Sequence, residues 1–176
     1  MNPYPPTKNS GEPPGGHYVD NAMARRALDL AGPLIEAGLD DRQLIGSGFL
    51  HVVIMDPTQL PGQTAFEDAI LHEQTFGPTT PPDADYAAFA LAKARTSWRL
   101  GVDSRVVQHL SPHLLRAGDT LLAGGIWRNG IVVGVSGAFA HYDEVYATTI
   151  AAFLQALAHA GRMAEPERPI LDGNLK

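Results

Sequence analysis

The sequence predicts an α+β domain with helices layered on an antiparallel sheet, and three features of the chain carry that reading. Apolar residues recur at three-and-four spacing near both ends of the central region; a β-branched run lies at 49–55; and Asn129-Gly130 separates two further apolar runs. In chain order, Ala24, Ala27, Leu28, Ala31, Leu34 and Ile35 mark a first helix over 20–37 with one buried face. Asp20 or Asn21 is placed to cap it, Pro33 to kink or restart it, and Gly38 to stop it. The run Phe49 to Met55, ended by Asp56-Pro57, reads as a strand buried on both faces. A turn over 57–63 leads toward a second strand over 69–74. After a Pro-rich loop at 77–82, Asp83 is the expected N-cap of a helix over 84–100 that ends at Gly101. A shorter helical piece over 104–115 follows. A hairpin with arms at 120–128 and 131–136 turns at Asn129-Gly130, because both residues tolerate positive φ. Tyr146, Ile150, Phe153, Leu154 and Leu157 form a last helical stripe, with Asp143 and Glu144 in its first turn, where carboxylates favour the positive end of the helix dipole.

Composition bounds the function. At 176 residues, 44% of them hydrophobic, the chain suits one sizeable core rather than two. Residues 1–18 form a Pro-rich N-terminal arm, with five prolines and three glycines before residue 18, and 163–176 a tail, leaving a domain over 19–162. A formal charge of −6 with scattered Lys and Arg offers no basic stripe to nucleic acid. The absence of cysteine removes disulfides, thiolate metal sites and a Cys nucleophile. With no apolar run suited to a secretory signal or a membrane helix, the expectation is a soluble, cytoplasmic protein without a membrane partner.

Several separated stretches line up with one known pattern. Leu122-Ala123-Gly124-Gly125, then Gly130 through Ala138, then Asp143-Glu144 and Tyr146-Ala147 resemble the C-terminal signature of the GlcG/HbpS-like family, also called the haem-degrading or DUF336 family. Upstream, Ala92-Lys93-Ala94-Arg95-Thr96 is similar to its helix motif, and Val52 to Asp56 sits where the family carries an apolar strand ending in Asp. The resemblance covers roughly residues 20 to 160. It implies a profilin-like three-layer α/β/α fold with an antiparallel sheet, and symmetric homo-oligomers. Haem binding, proposed haem degradation or iron sensing, and corrinoid-linked roles are attached to the family. This chain departs from the pattern in having Ile126-Trp127 after Gly-Gly and a longer turn over 57–68.

The expected function is therefore haem or tetrapyrrole binding, with haem as cofactor. The alternatives are a small cofactor-independent lyase, isomerase or hydrolase working between subunits, and a non-catalytic oligomeric accessory protein. Ligand-binding candidates are Lys93, Arg95, Gly124, Gly125, Trp127, His141, Asp143 and Glu144. Gly124 and Gly125 suit either close ligand approach or a sheet bulge. Lys93 suits either a ligand carboxylate or a structural pair with Asp56, Asp143 or Glu144. His72 and His141, near loops, are the haem-ligand candidates; with no cysteine, a His or an oxygen must hold the iron. His51, alternating within the first strand, reads as a satisfied core histidine. His109 and His113 are four apart but Pro112 intervenes, so no metal site is expected there. Adjacent Asp143 and Glu144 diverge on a helix, which argues against a paired-carboxylate mechanism. Ser136 lacks the Gly-x-Ser-x-Gly elbow, since Ala138 stands two residues on.

Overall fold

Every residue of the run Leu50–Met55 is buried, as a strand covered on both faces must be, and this strand, β3, lies inside the sheet. The computed structural model describes residues 15–165 and 170–171. A short hairpin of β1 (Gly15–Gly16) and β2 (Val19–Asp20) leads into α1 (Asn21–Asp40). After β3 come a 3-10 turn at Glu67–Ala69, β4 (Ile70–Phe76), α2 (Tyr86–Leu100), α3 (Ser104–Leu110) and a second 3-10 turn at Pro112–Leu114. The hairpin β5 (Gly125–Arg128) and β6 (Ile131–Ser136) and the helix α4 (Ala140–Met163) complete the fold.

The four long strands form an antiparallel sheet in the order β4-β3-β6-β5. Side-chain alternation divides it between two cores. Val52 and Ile54 of β3 with Val133 and Val135 of β6 meet Leu28 and Ile35 of α1 and Ile150 and Leu154 of α4. Val53, Met55 and Val132 point the other way, onto Ala90 and Ala94 of α2. The result is the three-layer α/β/α arrangement expected from the sequence. Gly134 brings α2 close to the sheet: a Cβ there would stand 2.5 Å from the Ala90 carbonyl oxygen.

Several boundaries differ from expectation for local reasons. Asp20 caps α1 by accepting from Met23 N at 2.8 Å. The helix runs through Pro33 and past Gly38 to Asp40. Gly38 is no stop signal; it is buried where the Tyr146 hydroxyl takes the space a Cβ would need. The cap of α2 is Asp85, which accepts from Ala88 N at 2.9 Å, while Asp83 accepts from the Tyr86 hydroxyl. Gly101 ends that helix at φ 66°. The β5–β6 turn forms as predicted, with Asn129 at φ 51° and Gly130 at φ 91°, but β5 begins only at Gly125. Its outer edge is covered, since Gly125 N donates to Ser104 Oγ and Trp127 N to Asp103 Oδ1.

Most of the expected N-terminal arm lies outside the described residues, as do 166–169 and 172–176 of the tail. Where the arm enters, Gly15 N donates to Asp56 Oδ2 at 2.7 Å, and Oδ1 of the same buried carboxylate accepts from Thr58 N and Oγ1. No helix among the described residues is long and apolar enough to cross a membrane.

Candidate functional site

Lys93 and His51, two of the polar side chains buried near the end of the sheet where β3 begins and β6 ends, differ in how completely they are partnered. The first is Lys93 of α2, 1% exposed. Its ammonium donates to Asp143 Oδ2 at 2.6 Å and to the Val135 carbonyl at 3.0 Å. Asp143, in the first turn of α4, also accepts from Ala138 N at 3.0 Å. The pair thereby ties the helix on one face of the sheet to the helix on the other. Burial pushes both groups toward their neutral forms: the Asp143 carboxyl rises to about 6, held back by the Lys93 ammonium, and the Lys93 ammonium is lowered. Gly124, at φ 127°, packs against this pair, and a Cβ there would lie 2.7 Å from Asp143 Cβ. At Gly125 a Cβ would collide with the Lys93 carbonyl. Neither glycine forms a bulge, since Gly125 pairs in register with Gly134; the sheet's register shift lies between Ile54 and Met55 instead.

The second buried group is His51 of β3, 5% exposed. Its Nδ1 lies 2.7 Å from Thr75 Oγ1 on β4, but its Nε2 has no hydrogen-bond partner. The expectation of a satisfied core histidine is therefore corrected: only one ring nitrogen is satisfied. Desolvation lowers its pKa against the pull of Glu73 and Asp85, which favours the neutral imidazole. His51 lines a cleft of about 340 Å³ with Phe49, Thr75, Asp85 and Tyr86 among its walls. Two further clefts adjoin it. One of about 480 Å³ shares Phe49 and includes Arg42, Ser47 and Gly48. Another of about 260 Å³ shares Tyr86 with the first and Ser47 with the second, and is also lined by Gly137 and Phe139. The Phe49 and Tyr86 rings lie 6.3 Å apart at 20°, and the exposed Phe139 ring is near-parallel to His141, 6.2 Å away.

The structure thus brings together Lys93, Gly124, Gly125 and Asp143 and places the other predicted residues elsewhere. Arg95 turns to the opposite side, over the Phe66 ring at 4.6 Å and against Glu67 at 3.2 Å. Glu144 pairs with Arg105 at 2.9 Å. Trp127 sits on the edge strand beside Asp103. His141 is exposed, inside the first turn of α4. His72 is half-buried on β4, opposite Ile54, with Gln74 Oε1 at 3.4 Å. Phe49, His51 and Tyr86 were not singled out as ligand contacts. Their convergence depends on a β3–β4 register that pairs His51 with Thr75 and on the start of α2, neither of which short-range patterning shows. Among the described residues, no group of three or more His, Asp or Glu side chains is arranged to hold a metal ion.

No family model and no curated protein matches the chain. Among solved structures, it is similar to a double mutant of HbpS from Streptomyces reticuli, at 22% identity and TM-score 0.49, over 85% of this chain and 95% of that one. It is also similar to the protein ORFY of Klebsiella pneumoniae, a DUF336 protein, at 15% identity and TM-score 0.49, over 78% and 91% of the two chains. A PduOC haem complex shows 22% identity and TM-score 0.44, over 79% and 94%.

Proposed function

We propose that the chain binds haem or a related tetrapyrrole in the clefts around Phe49. The observation that carries this reading is the set of three adjoining clefts at the end of the sheet, joined through Phe49, Ser47 and Tyr86. The motif resemblance of the Lys93 helix and the Gly124-Gly125 hairpin to the GlcG/HbpS-like family supplies the ligand class. The residues present fit such a group in three respects. Phe49, Tyr86 and Phe139 offer aromatic surface to a flat macrocycle. Arg42, exposed on the rim, donates one N–H to the Gly46 carbonyl and has further donors for a ligand carboxylate. The His51 ring forms part of the wall of the same space. Bound haem supplies an iron centre that acts as a Lewis acid and carries electrons. The chain's own part is to hold the ring, neutralise its carboxylates and exclude water from its faces.

Titration of the purified full chain with hemin tests the reading. A saturable shift of the Soret band is expected, weakened in Phe49→Ala. A Soret band that stays at its free-hemin position throughout the titration would overturn it.

A homo-oligomer is supported by the exposed Leu110, Leu121 and Leu122; Gln108 of α3 holds the segment of the last two by donating to the Thr120 and Leu122 carbonyls. Light scattering should give a mass above that of one chain, reduced by Leu121→Glu; a monomeric wild type would contradict it.

A further inference from the structure

Charge is distributed unevenly over the three clefts. Among the described residues that line them, Arg42 is the sole Arg or Lys, and it shares the 480 Å³ cleft with Asp40. The 340 Å³ cleft carries Asp85 and the 260 Å³ cleft carries Asp83, each with no Arg or Lys in its wall. Desolvation favours the neutral form of His51, so that ring does not offset Asp85. A bound carboxylate therefore meets balanced charge beside Arg42 and a negative wall in the other two clefts. Like charges that share a site from which a ligand displaces water repel more strongly than they do in bulk solvent.

The Arg42 guanidinium is also held in place. The chain turns through 41–49 between α1 and β3, and Gly48 N donates to the Ile45 carbonyl at 3.1 Å while Ser47 Oγ donates to the Gly137 carbonyl at 2.7 Å. Against this pinned turn, Arg42 Nη1 donates to the Gly46 carbonyl at 2.9 Å. Its Cζ and Nη1 lie 4.0 Å from where a Gly48 Cβ would stand, and Gly48 lines the same cleft. Gly46 takes one of the five N–H donors of a guanidinium, and among the described residues no carboxylate forms an ion pair with Arg42. The remaining donors are exposed and suit the two oxygens of a ligand carboxylate.

We infer that the site selects a tetrapyrrole whose carboxylates lie along one edge of the ring: Arg42 binds that edge, and Asp83 and Asp85 reject carboxylates on the others. This rests on the tetrapyrrole reading above and names which members of that class enter. Arg42 is then a specificity-determining residue that also sets which way round the ring sits.

Fluorescence titration of the full-length wild type with three metal-free porphyrins, in the same dilute detergent, tests it. Protoporphyrin IX has both carboxylates on one edge, its dimethyl ester has none, and coproporphyrin III has one on every pyrrole ring. Protoporphyrin should bind at least about 5-fold more tightly than either of the others. Arg42→Gln should erase its advantage over the ester and leave the ester's affinity unchanged. Asp83→Asn combined with Asp85→Asn, which keeps a capping side chain on α2, should strengthen coproporphyrin binding by about 5-fold. Equal wild-type affinities for protoporphyrin and its ester, an advantage that survives in Arg42→Gln, or coproporphyrin binding as tightly as protoporphyrin overturns this inference and leaves the tetrapyrrole reading standing. If none of the three binds, the inference falls, and the hemin titration decides the tetrapyrrole reading separately. Should Arg42→Gln not fold, the wild-type comparison of protoporphyrin with its ester decides.

Discussion

Lys93 and His51 are both buried polar side chains near the same end of the sheet, yet they do opposite work. Lys93 reaches a carboxylate and a carbonyl, and its partner carboxylate in turn holds Ala138 N, so the cluster is closed on itself. His51 spends one nitrogen on Thr75 and leaves the other unpaired. Type and burial alone do not separate scaffold from site; the inventory of partners does. A cluster that consumes its own bonding capacity locks the layers together.

The largest effect that tests this contrast is on stability. Lys93→Met leaves the Asp143 carboxylate buried without its cation and should cost about 3–5 kcal/mol in chemical denaturation. Adding Asp143→Asn should recover part of that loss, because the stranded charge is gone. A loss near zero in Lys93→Met would mean the pair is not the tie between the two helical layers.

The next effect is a titration. The Asp143 carboxyl, at about 6 in the folded chain, lies above its ordinary 3.8. The folded chain therefore holds this proton more tightly than the unfolded chain. Its contribution to stability is fully present below about pH 4 and is lost as pH rises through 6. Carbon-detected NMR of the side-chain carboxyl should give a midpoint near 6, and Lys93→Met should move it upward. A midpoint at or below the ordinary value would contradict the burial argument.

The smallest effect concerns the other half of the contrast. His51→Leu removes a half-satisfied polar group and leaves only the exposed Thr75 hydroxyl, which water can serve. The ligand-free variant should stay within about 1 kcal/mol of the wild type. A loss as large as that of Lys93→Met would make His51 a structural residue.

Local chemistry made much of the fold legible in the sequence. Asn129-Gly130 marked its turn because positive φ is a property of the two residues themselves. The β-branched run marked β3 because both of its faces are covered. What local pattern could not show was whatever depends on a distant partner. Gly38 looked like a helix stop, but its missing side chain makes room for Tyr146 more than a hundred positions away. The sequence left Lys93 with three carboxylate partners to choose from, and only the fold selects Asp143. His51 was misread for the same reason. Alternation placed it in a strand correctly, but whether each ring nitrogen is satisfied depends on Thr75 of the neighbouring strand.

The central claim is that the ligand enters the clefts around Phe49 and leaves the closed Lys93 cluster undisturbed. Chemical-shift mapping of the isotope-labelled full chain with gallium protoporphyrin, a diamagnetic stand-in for haem, tests this most directly. The account predicts the largest perturbations at Phe49, His51, Thr75 and Tyr86, with Lys93, Gly125 and Trp127 little changed. Perturbations centred on Gly124, Gly125 and Trp127, with His51 silent, would contradict it.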